Sequence, residues 1–269
     1  MLPIVVLAFY LAGAAWLASG VYSTQGNTAH GRRVPGLALG VIAVLTHAVV
    51  VWRSIVAMPD FAFSAAETAS LIGCLVGGIA VVWAWHRPRF AGIGAVLLVT
   101  AGLVAAPTNE GARTFTVESY SWELTAHIIL SVAAYALITI AAAMAVALAL
   151  LDRRLRSRKA LGWLSILPSM EALESGTFQA LGTGFAILTL SLFSGFIFVE
   201  NLFGQQLSRK TILSCLAWLV FAILLFGRWR FGWRGRTAAR WTLSGFALLG
   251  LAYFGSKFVL EMILGRHWG

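Results

Sequence analysis

The sequence predicts an all-α, polytopic membrane protein of eight transmembrane helices with both termini outside. Its 269 residues are 59% hydrophobic and only 11% charged, too apolar for the surface of a soluble domain of this length. The apolar residues fall into repeated runs long enough to cross a ~30 Å hydrocarbon core as helix. Backbone amides in lipid must be satisfied within the segment, and runs this uniformly apolar read as helices rather than barrel strands. Short polar loops separate them, and the basic residues keep to alternate loops.

The spans fall at about 3–22, 36–57, 66–85, 90–106, 124–151, 177–199, 211–227 and 241–264. The first has no basic leader, so it reads as a retained helix and not as a cleaved signal. The second contains VIAVLTHAVVVW, with His47 in mid-span and Arg53 toward its outer end. Glu67 opens the third. The fourth is short and carries Gly92, Gly94 and Gly102.

The fifth span is the one around which the chain is oriented. Glu118 and Glu123 stand before it, and Arg153, Arg154, Arg156, Arg158 and Lys159 follow it, so it runs from outside to inside. Its ionisable residue near the apolar start is His127. The connection to the sixth contains WLSILPSMEALES. There Leu167–Pro168 breaks the chain, and Met170 to Leu173 reads as the start of a short interfacial helix. The seventh holds Cys215 and Trp218, and the eighth places Lys257 and Glu261 one turn apart as i,i+4 partners.

Charge fixes the orientation of the whole set. Fourteen basic residues lie on the first, third, fifth and seventh loops, against four on the opposite side: Arg113, Arg209, Lys210 and Arg266. That bias puts both termini outside, which for a bacterial protein is the periplasmic face of the inner membrane. It also accounts for the net charge of +10 without a nucleic-acid partner; the bilayer, with its anionic lipids, is the partner these arginines imply. No internal repeat or separate soluble domain interrupts residues 1–269, which read as a single integral-membrane domain. Trp52, Trp83, Trp85, Trp122, Trp163, Trp218 and Trp229 fall near span ends as interfacial anchors. Cys74 and Cys215 lie in apolar runs without CxxC or metal spacing and read as small core residues.

Polar groups inside spans are expensive unless they face protein, water or a ligand. Here they are His47, His127, Arg53, Lys257 and Glu261, with Tyr135 two turns below His127. A neutral imidazole can ligate haem iron, shuttle a proton or simply tie two helices together, and the last is its ordinary role. A structural ion pair is likewise the ordinary reading of Lys257 and Glu261. No HExxH, P-loop, GxSxG or carboxylate dyad is present.

Three stretches carry a resemblance. LPSMEALESGTFQALGTGFAILTLSLFSG (167–195), GWRGRTAARWTLSGFALLGLAYFGSKF (232–258) and AHIILSVAAYAL, with His127 and Tyr135, resemble the CcsA family of cytochrome c assembly proteins over about 120–265. With LTHAVVVWRSI in the second span, the chain is most similar to the YpjD branch, a sibling of the HemX-type proteins. The resemblance implies haem as cofactor, most simply haem b, with His127 in the place of the first external axial histidine. His267, in the external tail, is a poorer match to the second. Two family features are missing. NLFGQQLSRKTILSCLAW replaces the tryptophan-rich WWD loop, and Leu225-Phe226-Gly227-Arg228 fills the place of the in-membrane histidine before GWRGR.

The expectation is therefore a haem-binding or haem-handling membrane protein without lyase activity and not an enzyme, with His127 as one iron ligand and His47 as the best second candidate. The His127 ring must then face inward, and the helical period puts Ser131, Ala134 and Tyr135 on its face. Two other roles stay open. One is a haem-free accessory subunit of another membrane protein, such as a CorB/CorC-type cation transporter. The other is a HemX-like regulator of haem biosynthesis.

Overall fold

A computed structural model describes residues 2–22, 28–56, 65–105, 122–158, 162–198 and 207–255. Among them are eight α-helices and no strand: α1 (Leu2–Tyr22), α2 (Thr28–Val56), α3 (Ala65–His86), α4 (Ala91–Val104), α5 (Trp122–Arg156), α6 (Met170–Phe198), α7 (Leu207–Phe231) and α8 (Gly235–Gly250). Six of these, all but α4 and α8, are long and apolar enough to cross a membrane. The α4 segment is a shorter apolar helix that follows a 3-10 turn at Pro88–Phe90.

The helices form two compact units. The first holds α1 to α4, together with residues 153–172; the second holds α5 up to Asp152 and α6 to α8. In the first unit α1 packs on α2 and α4, and α3 on α2 and α4, so the four helices close a ring. Small residues permit the approach of α1 to α2. A Cβ on Gly13 would sit 3.2 Å from the Gly40 nitrogen and 3.3 Å from the Gly36 carbonyl oxygen. Gly36 and Gly40 are four apart on one helix face, the spacing that lets membrane helices touch backbone to backbone. The α2 helix starts eight residues before the expected span and carries Pro35 in its first turns.

In the second unit α5 is the long axis, with Val132, Ala134, Ala136, Ile138, Ile140, Met144 and Leu148 among its buried residues. The α6 helix corrects an expectation. Residues 170–173 do not make a separate interfacial helix but are the first turn of α6. Pro168 ends the preceding chain, the Ser169 hydroxyl accepts the Ala172 N–H at 3.3 Å, and no proline follows before residue 198. A capped start followed by uninterrupted helix-compatible residues gives one helix. The α8 helix begins at Gly235, six residues earlier than expected, and passes at Leu251 into a π turn ending at Gly255.

Hydroxyls within the apolar helices are mostly spent on their own backbone. Thr46, Ser54, Thr139, Thr177, Thr189 and Thr242 each donate to the carbonyl four residues earlier, which lets them sit in an apolar helix at little cost. The hydroxyls that bond between helices are therefore the informative ones.

Candidate functional site

Such hydroxyls gather around His127. Its helix carries His127, Ser131 and Tyr135 at i, i+4 and i+8, hence on one face. The α6 helix presents Ser191 and Ser194 to that face. His127 Nδ1 lies 2.9 Å from Ser194 Oγ, and His127 Nε2 lies 3.5 Å from Ser131 Oγ. Ser194 Oγ lies 2.8 Å from the Ser191 carbonyl oxygen, and Ser131 Oγ donates to the His127 carbonyl at 2.8 Å. The Ser131 and Ser191 oxygens are 2.7 Å apart. The ring packs closely on α6, since a Cβ on Gly195 would lie 3.0 Å from His127 Cε1.

Two hydrogen arrangements satisfy these distances. Each hydroxyl has one proton. Ser194 Oγ is within reach of both the Ser191 carbonyl and His127 Nδ1, so it either gives its proton to the carbonyl and accepts from Nδ1–H, or gives it to a bare Nδ1. The Ser131 oxygen, 3.5 Å from Nε2, is too far for a sound bond. In the first arrangement the imidazole is anchored through Nδ1–H, the form that ligates metals through Nε2.

Two turns below, the Tyr135 hydroxyl donates to the Leu249 carbonyl at 2.9 Å. That carbonyl lies where α8 loosens into the π turn, a geometry that displaces backbone acceptors from their regular partners. The Tyr135 ring meets Tyr253 edge-on at 5.9 Å, and Lys210 Nζ lies 5.8 Å from the Tyr253 ring centre. The serines of α6 went unread in the sequence. The signal was present, as SLFSG puts two hydroxyls one turn apart in an otherwise apolar stretch.

His47 belongs to the first unit and is fully buried. Its Nδ1 is 3.1 Å from the Tyr10 hydroxyl and its Nε2 is 2.9 Å from Ser70 Oγ, so α1, α2 and α3 meet on one imidazole. Both ring nitrogens already have partners. Arg53 was expected among the buried polar residues, but it is exposed. Six residues beyond His47, it has turned about 240° away from the buried face. Cys74 and Cys215 are free thiols, half-buried. Lys257, Glu261 and His267 lie outside the described residues.

The second unit has a further constellation at the opposite end of its helices. The Glu174 carboxylate accepts from Arg228 Nη1 at 2.7 Å, from Arg234 Nε at 3.0 Å and from the Gly235 N–H at 3.2 Å. Arg228 also lies 4.6 Å over the Phe178 ring and donates to the Trp233 carbonyl. Arg236 and Asp152 form a looser pair at 3.6 Å. The LPSMEALES and GWRGR stretches thus meet as a clamp joining the ends of α6, α7 and α8. Among the described residues no group of three or more His, Cys, Asp or Glu side chains is arranged for a metal ion.

Comparison with known proteins agrees with this arrangement of motifs. A family profile described as cytochrome c assembly protein matches residues 36–264, reaching further toward the N-terminus than the three stretches that carry the resemblance. The inner membrane protein YpjD of Escherichia coli K12 is 30% identical over 268 residues, 97% of this chain and 98% of the relative. An uncharacterized 28.8 kDa protein of Azospirillum brasilense is 38% identical over 141 residues, 52% of each chain. The cytochrome c biogenesis protein CcsA of Microcystis aeruginosa is 30% identical over 100 residues, 36% of this chain and 30% of the relative. No solved structure matches the chain. With the profile spanning α2 to the C-terminal region and a full-length relative beside it, the chain belongs to the cytochrome c assembly protein family.

Proposed function

We propose that this protein is an eight-span protein of the bacterial inner membrane, with both termini periplasmic, that holds haem b and does not catalyse its attachment. The observation that carries the haem reading is the placement of His127, whose Nδ1 lies 2.9 Å from Ser194 Oγ while Nε2 is 3.5 Å from the Ser131 hydroxyl. Membership of the cytochrome c assembly protein family supports it, and the location follows the full-length relative's description as an inner membrane protein.

Bound haem would supply a redox-active iron. The chain supplies an axial nitrogen from His127, a fixed ring orientation from Ser194 and Gly195, and aromatic surface from Tyr135 and Tyr253. His47, the second ligand candidate from the sequence, is held at both ring nitrogens by the Tyr10 and Ser70 hydroxyls of its own unit. The absence of the tryptophan-rich loop from 201–218 argues against lyase activity.

The test is an absorbance spectrum of detergent-purified protein, oxidised and dithionite-reduced, from cells supplied with a haem precursor. A stoichiometric Soret band that His127→Ala abolishes is the expected result. A retained band in that variant overturns His127 as the ligand. A haem-free wild-type preparation replaces this reading with that of an accessory membrane subunit.

A further inference from the structure

We infer that the turn between α7 and α8 is a docking surface for one anionic phospholipid, whose headgroup meets arginines and whose upper chains meet an exposed aromatic shelf. The surface lies wholly within the second unit and is independent of haem. Trp229 and Arg230 stand in the last turn of α7, a helix long and apolar enough to cross a membrane. Side chains at the end of such a helix stand at headgroup depth, whichever face of the membrane that is.

The shelf consists of large rings that the fold leaves uncovered. Trp229 is 81% exposed and Phe231 65%. The Phe226 ring lies 6.0 Å from that of Trp229 and 6.2 Å from that of Phe231, and Phe231 stacks on Trp233 at 6.5 Å. Trp233 anchors the row. A Cβ on Gly227 would come within 2.5 Å of its ring, and its N–H donates to the Gly227 carbonyl at 3.3 Å. Gly232, with φ of 65°, supplies the left-handed residue that this reversal needs. Exposed rings held against one another are costly in water and favourable where acyl chains meet headgroups, so lipid is what covers them.

Charge selects the lipid. Arg228, Arg230, Arg234, Arg236 and Arg240 fall on this turn, and the carboxylates that answer them are Glu174 and Asp152. Five cations against two anions leave a surface complementary to a headgroup of net negative charge, and unfavourable to one that carries its own cation. The carboxylates also orient what they neutralise. Arg234 and Arg236 meet them through Nε, which leaves the Nη donors of both guanidinium groups on exposed side chains. Arg230 is steered by the Phe231 ring, 5.7 Å from its guanidinium carbon. Planar donors fixed in this way suit the paired oxygens of a phosphate diester. A basic loop acting by charge alone has neither the oriented guanidinium groups nor the shelf, and that difference makes the binding local and saturable.

The experiment is native mass spectrometry of the full-length protein in detergent, titrated with phosphatidylglycerol, phosphatidylcholine or inorganic phosphate. Wild type should bind one phosphatidylglycerol about tenfold or more tightly than phosphatidylcholine. Arg230→Gln combined with Arg240→Gln, which leaves the Glu174 contacts in place, should remove about tenfold of that affinity. The corresponding double lysine variant should fall between, and Trp229→Ala should weaken binding of both lipids. Arg87→Gln combined with Arg89→Gln removes the same charge from another exposed basic turn and should change nothing. An equal loss in that control, or no preference for phosphatidylglycerol, overturns the site in favour of charge alone. Unchanged binding in the Arg230 and Arg240 variant places the lipid elsewhere and overturns it too. Displacement of phosphatidylglycerol by inorganic phosphate at equal concentration overturns the lipid as occupant.

Discussion

The His127 ring is held by a neighbour on another helix. Ser194 Oγ lies 2.9 Å from His127 Nδ1 and 2.8 Å from the Ser191 carbonyl. Removing that hydroxyl should loosen the ring orientation. Outer partners of this kind are worth about 10- to 100-fold in metal affinity, so, on the proposed haem ligation, Ser194→Ala should weaken haemin binding by that factor without abolishing it. Haemin titration of the purified variant measures this, and unchanged affinity would count against Ser194 as the group that holds the ring. His47 has the opposite character. It bonds at both nitrogens, and replacing it by Leu leaves the Tyr10 and Ser70 hydroxyls buried without a partner. We expect His47→Leu, which leaves two buried hydroxyls unpaired, to cost more than Tyr10→Phe, which leaves one buried ring nitrogen unpaired at about 1–3 kcal/mol. Thermal unfolding in detergent gives the ranking.

At the scale of elements, neighbouring ends of α6, α7 and α8 are joined by one carboxylate. Glu174 is only 13% exposed at its side chain and accepts three hydrogen bonds, two of them from guanidinium groups. Glu174→Gln removes the charge that both arginines answer and should cost about 1–3 kcal/mol in stability, since bonds to charged groups are the strong class. Asp152→Asn should matter less. Its partner Arg236 is 57% exposed and 3.6 Å away, and exposed pairs contribute at most about 1 kcal/mol. Equal effects from the two variants would show that Glu174 is not the organising group. The same clamp explains why α6 runs straight from Met170. Its start is held by Ser169 at the cap and, one residue beyond the first turn, by Glu174 through the neighbouring helices, so residues 170–173 have no cause to form a separate interfacial helix.

At the scale of the molecule, the prediction concerns sidedness. On the proposed topology of eight spans, with fourteen basic residues on the inner loops, a reporter active only outside should give signal when fused near residue 60 or at the C-terminus. The same reporter fused after Arg158 should be silent. Activity after Arg158 would invert the topology, and with it the outer position of His127. An odd number of spans would appear as termini on opposite sides.

Much of this was legible in sequence, because apolar length and basic loops act locally. Each run crosses or fails to cross lipid on its own account, and basic residues favour the inner side whatever their neighbours do. Hence α1, α3 and α5 fall close to their expected limits, and the face shared by His127, Ser131 and Tyr135 follows from helical period alone. The partners across helices were not legible. Nothing in one chain's sequence says that Ser194 meets His127, that Tyr10 and Ser70 share His47, or that Glu174 closes on Arg228 and Arg234. Those contacts join residues 23 to 67 positions apart, and only packing decides which helix faces turn toward each other. The sequence by itself determined an all-helical membrane chain with an imidazole near the start of its fifth apolar run. The tertiary structure decided which hydroxyls surround that imidazole, because contacts between residues far apart in sequence depend on which helix faces pack together.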